Sequence, residues 1–234
     1  MMVYRAVART GTDLNRLHQA LVNGLRRSRA VRSGAVEAAF RKVPRHLFVP
    51  HLPPEDAYRD DAIVTQRDPG GLPSSSSSQP GMMAIMLEQL DLRPGHRVLE
   101  IGAGTGYNAA VMREIAGPAG RIVTVDIQPD VARDAVRHLA AAGYTDVTVL
   151  AADGGFGHPA DAPYDRIIVT ASAADIPPHW RVQLAESGVL VVPLRLHTQC
   201  LSTAFVRDGA VLRSRSVESC GFMHLRGAFG DADP

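Results

Sequence analysis

A chain of 234 residues, 45% of them hydrophobic and 21% charged, is long enough to fold as one large domain with a substantial core. Its formal net charge of +1 gives no electrostatic reason to expect a nucleic-acid partner or a membrane surface. No apolar run approaches the ~20 residues that span a bilayer, and the N-terminal stretch lacks the apolar centre of a signal peptide.

Two helices are predicted before any strand. The first is capped by Thr12 or Asp13 and carries leucines at helical spacing, and a second, short helix is predicted over residues 34–40. Residues 43–50 (VPRHLFVP) place prolines on both sides of an apolar centre, which predicts an extended path, and residues 57–63 (AYRDDAI) predict a further extended segment. Because these elements precede the glycine-rich centre of the chain, we expect them to form a cap or flank.

Five consecutive serines, Ser74 to Ser78, follow a Pro-Gly-Gly-Leu-Pro turn. Such a composition is typical of a flexible linker, and Ser78 could also cap a helix. Pro80 starts a segment whose apolar residues share one helical face, so the serines are predicted to lie at a helix N-terminus. Backbone N–H groups and hydroxyls gathered there can bind a carboxylate.

A strand, a glycine-rich turn and a helix stand at the centre of the chain, in the stretch RVLEIGAGTGYN. The predicted strand over residues 97–102 leads through Gly102, Gly104 and Gly106 into a predicted helix over residues 106–116. Such a turn brings the backbone close to a ligand and points N–H groups at it. The glycine spacing alone also fits a dinucleotide or a plain tight turn.

Two carboxylates favour one ligand over the others. Glu100 directly precedes the glycines, where a negative charge is awkward beside a pyrophosphate but suits the ammonium and sulfonium groups of S-adenosyl-L-methionine. Asp126 ends the next predicted strand, where a carboxylate can accept hydrogen bonds from both ribose hydroxyls. The pattern resembles the class I methyltransferases. We therefore predict S-adenosyl-L-methionine as the cofactor, with a dinucleotide-binding oxidoreductase as a distant alternative.

From residue 97 onward strands and helices alternate, which predicts an α/β, Rossmann-like fold with a doubly wound, mostly parallel sheet. An Asp208-Gly209 turn between two apolar segments predicts an antiparallel hairpin at the sheet edge. The predicted strands cover residues 97–102, 121–126, 146–151, 165–171 and 188–194, and the predicted helices cover residues 106–116, 129–142 and 178–185.

This pattern divides the chain into three parts. Residues 1–80 are predicted to form the cap with its serine loop, residues 81–226 a methyltransferase core, and residues 227–234 a flexible tail of low apolar content. The two cysteines, Cys200 and Cys220, make no disulfide framework, and no histidine–cysteine spacing predicts a metal site. We therefore expect a cytoplasmic, monomeric protein that binds no metal.

Further positions are predicted at the same crevice. Asp153 follows the third strand, where an open α/β sheet binds its ligand, and its carboxylate can accept a hydrogen bond from the adenine amine or simply form a turn with Gly154. Thr170 and Ala171 end the fourth strand and either line the crevice or pack within the sheet.

The class of methyl acceptor is predicted from the lack of an obvious general base in the sequence. An amine or hydroxyl acceptor needs a general base, and none of His46, His179 and His224 can be placed beside the transferred methyl group. A carboxylate acceptor, with a pKa near ~4, is already ionised at neutral pH and needs only orientation and partial desolvation. The missing base and the serine run therefore both favour a carboxylate acceptor.

Over nearly its whole length the chain resembles the protein-L-isoaspartate O-methyltransferase family. The motifs that carry the resemblance are VPRHLFVP (43–50), AYRDDAI (57–63), EIGAGTGYNAAV (100–111) and DGGFGHPADAPYDRIIVTASA (153–173), and the likeness continues to Pro193.

The resemblance implies roles for individual residues. In that family a serine before the cofactor strand lies in the active site, which here implies a catalytic role for Ser78 and substrate contacts for Ser76 and Ser77. The cofactor contacts that it implies fall on Glu100, Gly102, Ala103, Gly104, Thr105, Gly106, Asp126, Ile127, Asp153 and Gly154.

The serine run also departs from the family's usual sequence. Together with CGFMHLRGA at 220–228 it is similar to a branch that methylates a normal aspartate in a ribosomally made, modified peptide, whose ester then yields aspartimide. We therefore predict an aspartyl peptide as the acceptor, with isoaspartate in damaged proteins as the alternative. Either way the expected partner is a peptide or protein, without nucleic acid or membrane.

Overall fold

The computed structural model describes residues 11–230, and its N-terminal part consists of helices around a β-hairpin. The second predicted helix is confirmed, and the Ser33 hydroxyl caps it by accepting the N–H of Val36 at 3.3 Å. The first helix begins at Gly11, so Thr12 and Asp13 lie in its first turn and the predicted start was too late. The elements are α1 (Gly11–Arg27), α2 (Gly34–Lys42), a 3-10 turn (Arg45–Phe48), α3 (Pro54–Ala57), β1 (Ile63–Arg67), β2 (Pro73–Ser77) and α4 (Pro80–Leu90).

The prediction of an extended path over residues 43–50 was wrong, because this segment contains the 3-10 turn. The carbonyl of Pro44 accepts the N–H of Leu47 at 3.1 Å, so the proline begins a turn. Side chains three residues apart lie on one side of such a turn. Arg45 and Phe48 can therefore both be fully buried, as they are.

The extended prediction for residues 57–63 was also wrong, since α3 ends at Ala57 and β1 begins only at Ile63. The residues between them turn their carbonyls towards the Arg45 guanidinium. The oxygens of Ala57, Arg59 and Asp61 accept its N–H groups at 3.2, 2.8 and 3.0 Å. In a regular strand, alternate carbonyls lie roughly 6.6 Å apart, too far for three of them to reach one guanidinium, so the contact with Arg45 requires a turned backbone after α3.

The serine run forms strand β2 and is not a linker. β2 pairs antiparallel with β1, with Ser77 opposite Ile63. Serine has no strong preference for strands, and cross-strand pairing decides the conformation here. The helix after the serines begins at Pro80, as predicted.

Seven strands form the central sheet, in the order β5-β4-β3-β6-β7-β8-β9. β3 to β7 are parallel, and β8 and β9 add the predicted antiparallel hairpin at one edge. This confirms the Rossmann-like α/β fold. The elements are β3 (Arg97–Ile101), α5 (Tyr107–Ala116), β4 (Arg121–Asp126), α6 (Pro129–Ala141), β5 (Thr148–Ala151), β6 (Tyr164–Val169), α7 (Pro178–Gln183), β7 (Leu184–Leu196), β8 (Gln199–Asp208) and β9 (Val211–Ser219).

The sheet has a hydrophobic core on each face. Neighbouring residues of β3, Val98 and Leu99, belong to two different buried clusters, because successive side chains of a strand point to opposite faces. β3 pairs with β4 on one side and with β6 on the other, so the order of the strands reverses at β3. An open α/β sheet binds its ligand at the carboxyl ends of the strands at such a point.

The segment after β9 returns to the carboxyl end of β6. The N–H of Ser172 donates to the carbonyl of Met223, and the N–H of Leu225 donates to the carbonyl of Ser172, both at 2.8 Å. Within the predicted loose tail, the N–H of Ala228 donates to Asp153 and the ring of Phe229 contacts those of Phe156 and His179, while residues 231–234 lie outside the described part. Within residues 11–230, no helix is long and apolar enough to cross a membrane.

Candidate active site

A cavity of about 370 Å³ lies at the carboxyl ends of the central strands. Its lining includes the glycine-rich turn after β3, strand β2 with its serines, the end of β4, the residues after β6, and the segment after β9. All of the predicted cofactor residues line this cavity except Gly106 and Asp153, and Ser76, Ser77 and Ser78 line it as well. The tertiary structure therefore brings the serine run to the glycine-rich turn.

Two glycines of the turn are required by its geometry. Gly102 has a φ of +99°, and a Cβ there would lie 2.3 Å from Oγ1 of Thr170. Gly104 has a φ of +51°, and a Cβ there would lie 2.9 Å from the carbonyl oxygen of Ser76. Left-handed backbone favours glycine, and here side chains are excluded by collision as well. The bare backbone leaves this part of the cavity open to a ligand.

Glu100 lines the cavity as a fully buried carboxylate. Its Oε1 accepts a hydrogen bond from Nδ2 of Asn108 at 2.7 Å, and none of the ion pairs found within residues 11–230 includes it. Burial raises the pKa of Glu100 to about 7, and the charge of the nearby Asp126 contributes to the same shift. A buried carboxylate without a cationic partner is costly, so this position suits a ligand that carries a positive charge.

Asp126 lies at the end of β4, only 9% exposed, and lines the same cavity. Its two oxygens accept the N–H groups of Gly104 at 3.1 Å and Gln128 at 3.0 Å. Burial raises the pKa of Asp126, and these two hydrogen bonds oppose the shift. A carboxylate oriented in this way retains acceptor capacity for hydroxyl groups of a ligand.

S-adenosyl-L-methionine fits these residues, because it carries a cationic end and a ribose diol. The fit rests on Glu100 and Asp126 and on the bare glycine backbone between them. A pyrophosphate would place negative charge beside a buried carboxylate, and that disfavours a dinucleotide. Over the described residues, no group of three or more histidine, cysteine, aspartate or glutamate side chains forms a candidate metal site.

Gly106 and Asp153 are placed elsewhere. Gly106 is the N-cap residue of α5, and a Cβ there would lie 3.0 Å from Leu139, so this glycine permits close packing of the start of α5 against α6. The carboxylate of Asp153 accepts the N–H of Gly155 at 2.9 Å and that of Ala228 at 2.7 Å. It anchors the C-terminal segment outside the cavity lining, so the cofactor contacts predicted for these two residues have no support from the cavity geometry.

The serine strand is held in place by a buried cation. Nη2 of Arg45 donates to the carbonyl of Ser78 at 3.0 Å, and the guanidinium is fully buried. Ser78 itself is half-buried and lines the cavity. The roles of Ser78, Ser76 and Ser77 in the reaction remain predictions; the three serines line the same cavity as the glycine-rich turn.

Sequence reasoning missed the contribution of the C-terminal segment. Met223, His224, Leu225 and Arg226 all line the cavity, and the sequence argument had left His224 unplaced. The motif CGFMHLRGA at 220–228 contains these residues, but nothing local places them in the cavity, because the segment is held there by hydrogen bonds with Ser172. Thr170 and Ala171 do line the cavity, as one of the two interpretations proposed.

Comparisons with known proteins identify relatives over most of the chain. The family model described as protein-L-isoaspartate(D-aspartate) O-methyltransferase (PCMT) matches residues 15–229. A protein-L-isoaspartate O-methyltransferase of Methanopyrus kandleri is 41% identical over 221 residues, which are 94% of this chain and 95% of the relative. Protein-L-isoaspartate O-methyltransferase 1 of Archaeoglobus fulgidus is 46% identical over 198 residues, which are 85% of this chain and 88% of the relative.

Solved structures agree with this. A structure described as a protein-L-isoaspartate O-methyltransferase superposes with a TM-score of 0.83 at 32% identity, covering 91% of this chain and 67% of that one. A putative protein-L-isoaspartate O-methyltransferase from Plasmodium falciparum, in complex with S-adenosyl-L-homocysteine, superposes with a TM-score of 0.79 at 18% identity, covering 89% and 98%. The second similarity shows the fold alone.

Proposed function

Because the chain belongs to the protein-L-isoaspartate(D-aspartate) O-methyltransferase family, we propose that it methylates the free carboxylate of an L-isoaspartyl residue in a peptide or protein. Its family makes it a carboxyl O-methyltransferase that uses S-adenosyl-L-methionine, and the oxidoreductase alternative is excluded. From the serine run we predicted an aspartate of a modified natural-product peptide as the acceptor, with isoaspartate as the alternative. The names of the relatives favour the isoaspartyl acceptor.

One observation supports the proposal most directly. A buried carboxylate without an ion-pair partner, Glu100, and three consecutive serines, Ser76 to Ser78, line one cavity. The carboxylate suits the cationic cofactor, and the hydroxyls suit an anionic acceptor. The two requirements of a carboxyl methyltransferase are therefore met by neighbouring walls of a single site.

Each residue of the site then has its own role in methyl transfer. S-adenosyl-L-methionine, when bound, supplies a methyl group activated by its sulfonium. Glu100 and Asp126 hold the cofactor's charged and hydroxyl groups, and the bare backbone of Gly102 and Gly104 lets it approach. The hydroxyl of Ser78 donates to one oxygen of the acceptor carboxylate and leaves the other free to attack. No general base is required, because the acceptor is already ionised.

A pair of peptides tests the acceptor. A short peptide containing L-isoaspartate and its aspartyl twin are each incubated with enzyme and S-adenosyl-L-methionine labelled in the methyl group, and base-labile methyl ester is counted. We expect methylation of the isoaspartyl peptide alone, because a pocket distinguishes isomers by geometry even when their charges are equal. Methylation of the aspartyl peptide, or of a cyclised aspartyl precursor peptide, in place of the isoaspartyl one would restore the aspartyl acceptor.

Replacing Ser78 with alanine tests the serine strand. We expect kcat for the isoaspartyl peptide to fall on the order of 10- to 100-fold, because a donor to the reacting carboxylate is lost. The affinity for S-adenosyl-L-homocysteine, measured by calorimetry, should change by less than about threefold, since the hydroxyl contacts the acceptor. Ser78→Thr retains a hydroxyl and is expected to recover part of the turnover. Equal turnover in Ser78→Ala and the wild type would mean that the serine only leads into α4.

A further inference from the structure

The cavity lining contains more negative than positive side chains, although the proposed substrate is itself an anion. Asp68, Glu100 and Asp126 line the cavity with carboxylates. Among the described lining residues, Arg226 is the one arginine or lysine. The cationic end of S-adenosyl-L-methionine, when bound, offsets Glu100, but Asp68 and Asp126 still repel an approaching carboxylate unless a further cation lies nearby. The position of Arg226 therefore bears directly on the choice of acceptor.

The guanidinium of Arg226 lies at the edge of the cavity. Its Nη2 donates to the carbonyl of Ser74 at 3.0 Å and also to the side-chain oxygen of Gln128. Both acceptors are neutral, so these hydrogen bonds orient the guanidinium without neutralising its charge. The side chain is exposed, and an incoming peptide can therefore reach it.

The backbone that carries Arg226 is fixed. Leu225 is 7% exposed, and its N–H donates to the carbonyl of Ser172 at 2.8 Å. On the other side, Ala228 is bound to Asp153. The arginine therefore extends from a packed segment to the serine strand, and its charge stays at the cavity edge before any substrate arrives.

We propose that Arg226 recognises the negative charge of the acceptor and thereby sets the preference of the enzyme for a carboxylate substrate. The inference rests on the proposed function, and it assigns a specificity-determining role to a residue of the C-terminal segment. One guanidinium nitrogen is committed to Ser74 and Gln128, and the remaining donors can face the incoming carboxylate. Contact with one carboxylate oxygen leaves the second oxygen available for methylation.

A cofactor role for Arg226 is the competing explanation. Burial raises the pKa of Asp126, and the positive charge of Arg226 is among the influences that oppose this shift. The charge of Arg226 is therefore also felt at the carboxylate that is predicted to bind the ribose. The test must therefore separate the acceptor's KM from the cofactor's affinity.

The experiment compares Arg226→Gln, Arg226→Lys and a matched control, Arg137→Gln, which removes an exposed arginine of α6 that does not line the cavity. With the short isoaspartyl peptide, we expect Arg226→Gln to raise KM about tenfold, with kcat changed by less than about threefold. Arg226→Lys keeps the charge and should stay closer to the wild type. The affinity for S-adenosyl-L-homocysteine should remain within about twofold in every variant.

Ionic strength separates charge recognition from a structural role. Salt screens an exposed charge, so raising sodium chloride from about 0.05 to about 0.3 M should raise KM in the wild type and in Arg137→Gln but much less in Arg226→Gln. The inference is overturned if the KM of Arg226→Gln for the isoaspartyl peptide equals that of Arg137→Gln, or if the KM of both variants depends equally on salt. It is also overturned if Arg226→Gln loses affinity for S-adenosyl-L-homocysteine by the same factor as it loses affinity for the peptide. A wild type that methylates neither peptide overturns the proposed function and this inference together, whereas an active wild type with an unchanged Arg226→Gln overturns this inference alone.

Discussion

Gly102→Ala is expected to weaken S-adenosyl-L-homocysteine binding at least ~100-fold, beyond detection in an ordinary calorimetric titration. The new Cβ would lie 2.3 Å from Oγ1 of Thr170, closer than any van der Waals contact allows, at a residue whose φ is +99°. The turn or Thr170, which follows β6, must then move, and both line the cavity. A displacement of this size at a glycine-rich turn removes the geometry on which binding depends.

Gly95→Ala is the matched control for backbone strain. Gly95 has a φ of +85°, and a Cβ there meets nothing within 4 Å. Both variants should lose on the order of 1 kcal/mol of folding free energy from the left-handed backbone, but only Gly102→Ala should lose the cofactor. The double variant Gly102→Ala/Thr170→Ala removes the colliding oxygen and should recover part of the affinity. Binding by Gly102→Ala as tight as that of Gly95→Ala would contradict the collision argument.

Glu100→Gln is expected to stabilise the free protein at pH 8 while weakening cofactor binding. Burial raises the pKa of Glu100 from its ordinary value of 4.5 to about 7. Between these two values the folded protein holds a proton that the unfolded chain has released, so the free energy of unfolding falls as the pH rises through this window. Above it, the ionised carboxylate costs roughly 3 kcal/mol, which a neutral glutamine avoids. The glutamine oxygen can still accept the hydrogen bond of Asn108.

Urea unfolding of the free wild type and of Glu100→Gln at pH 5 and pH 8 measures the difference. The variant should be more stable by roughly 3 kcal/mol at pH 8 and by much less at pH 5. In calorimetry, wild-type affinity for S-adenosyl-L-homocysteine should rise from pH 6 to pH 8 as Glu100 ionises, and the variant should bind weakly at both values. Parallel stability profiles for the two proteins would show that Glu100 is not held in its neutral form by burial.

Both predictions depend on parts of the site that were visible in the sequence. Glu100 and the alternate glycines follow an apolar run, and the chain continues with helical spacing, so a strand, a turn and a helix were predictable from neighbouring residues alone. Asp126 was predictable in the same way, as the last residue of the next apolar run. These signals are local, and the structure places all of these residues in β3, β4 or the turn between β3 and α5.

The mistakes have a common origin in contacts between distant residues. Residues 43–63 contain proline and β-prone residues that favour extended backbone, but the burial of the Arg45 guanidinium gathers several carbonyls around it and imposes turns. Asp153 occupies a position where a ligand contact was expected, yet the N–H of Ala228, 75 residues further along the chain, takes up one of its oxygens. Neither partner can be recognised from its own neighbours in sequence.

The sequence by itself determined the α/β class, the parallel core with its antiparallel edge, the glycine-rich turn and the two carboxylates beside it, because each depends on the periodicity and turn chemistry of adjacent residues. Only the tertiary structure decided that the serine run is a strand, that it lies against the glycine-rich turn, and that the segment after β9 completes the cavity with Arg226. These features depend on β1 pairing with β2 and on Ser172 pairing with the C-terminal segment. The C-terminal segment pairs with a residue 51 positions earlier in the chain, and such long-range pairing leaves little trace in either segment. β1 and β2 are neighbours in the chain, but a run of serines has no apolar alternation that would predict a strand.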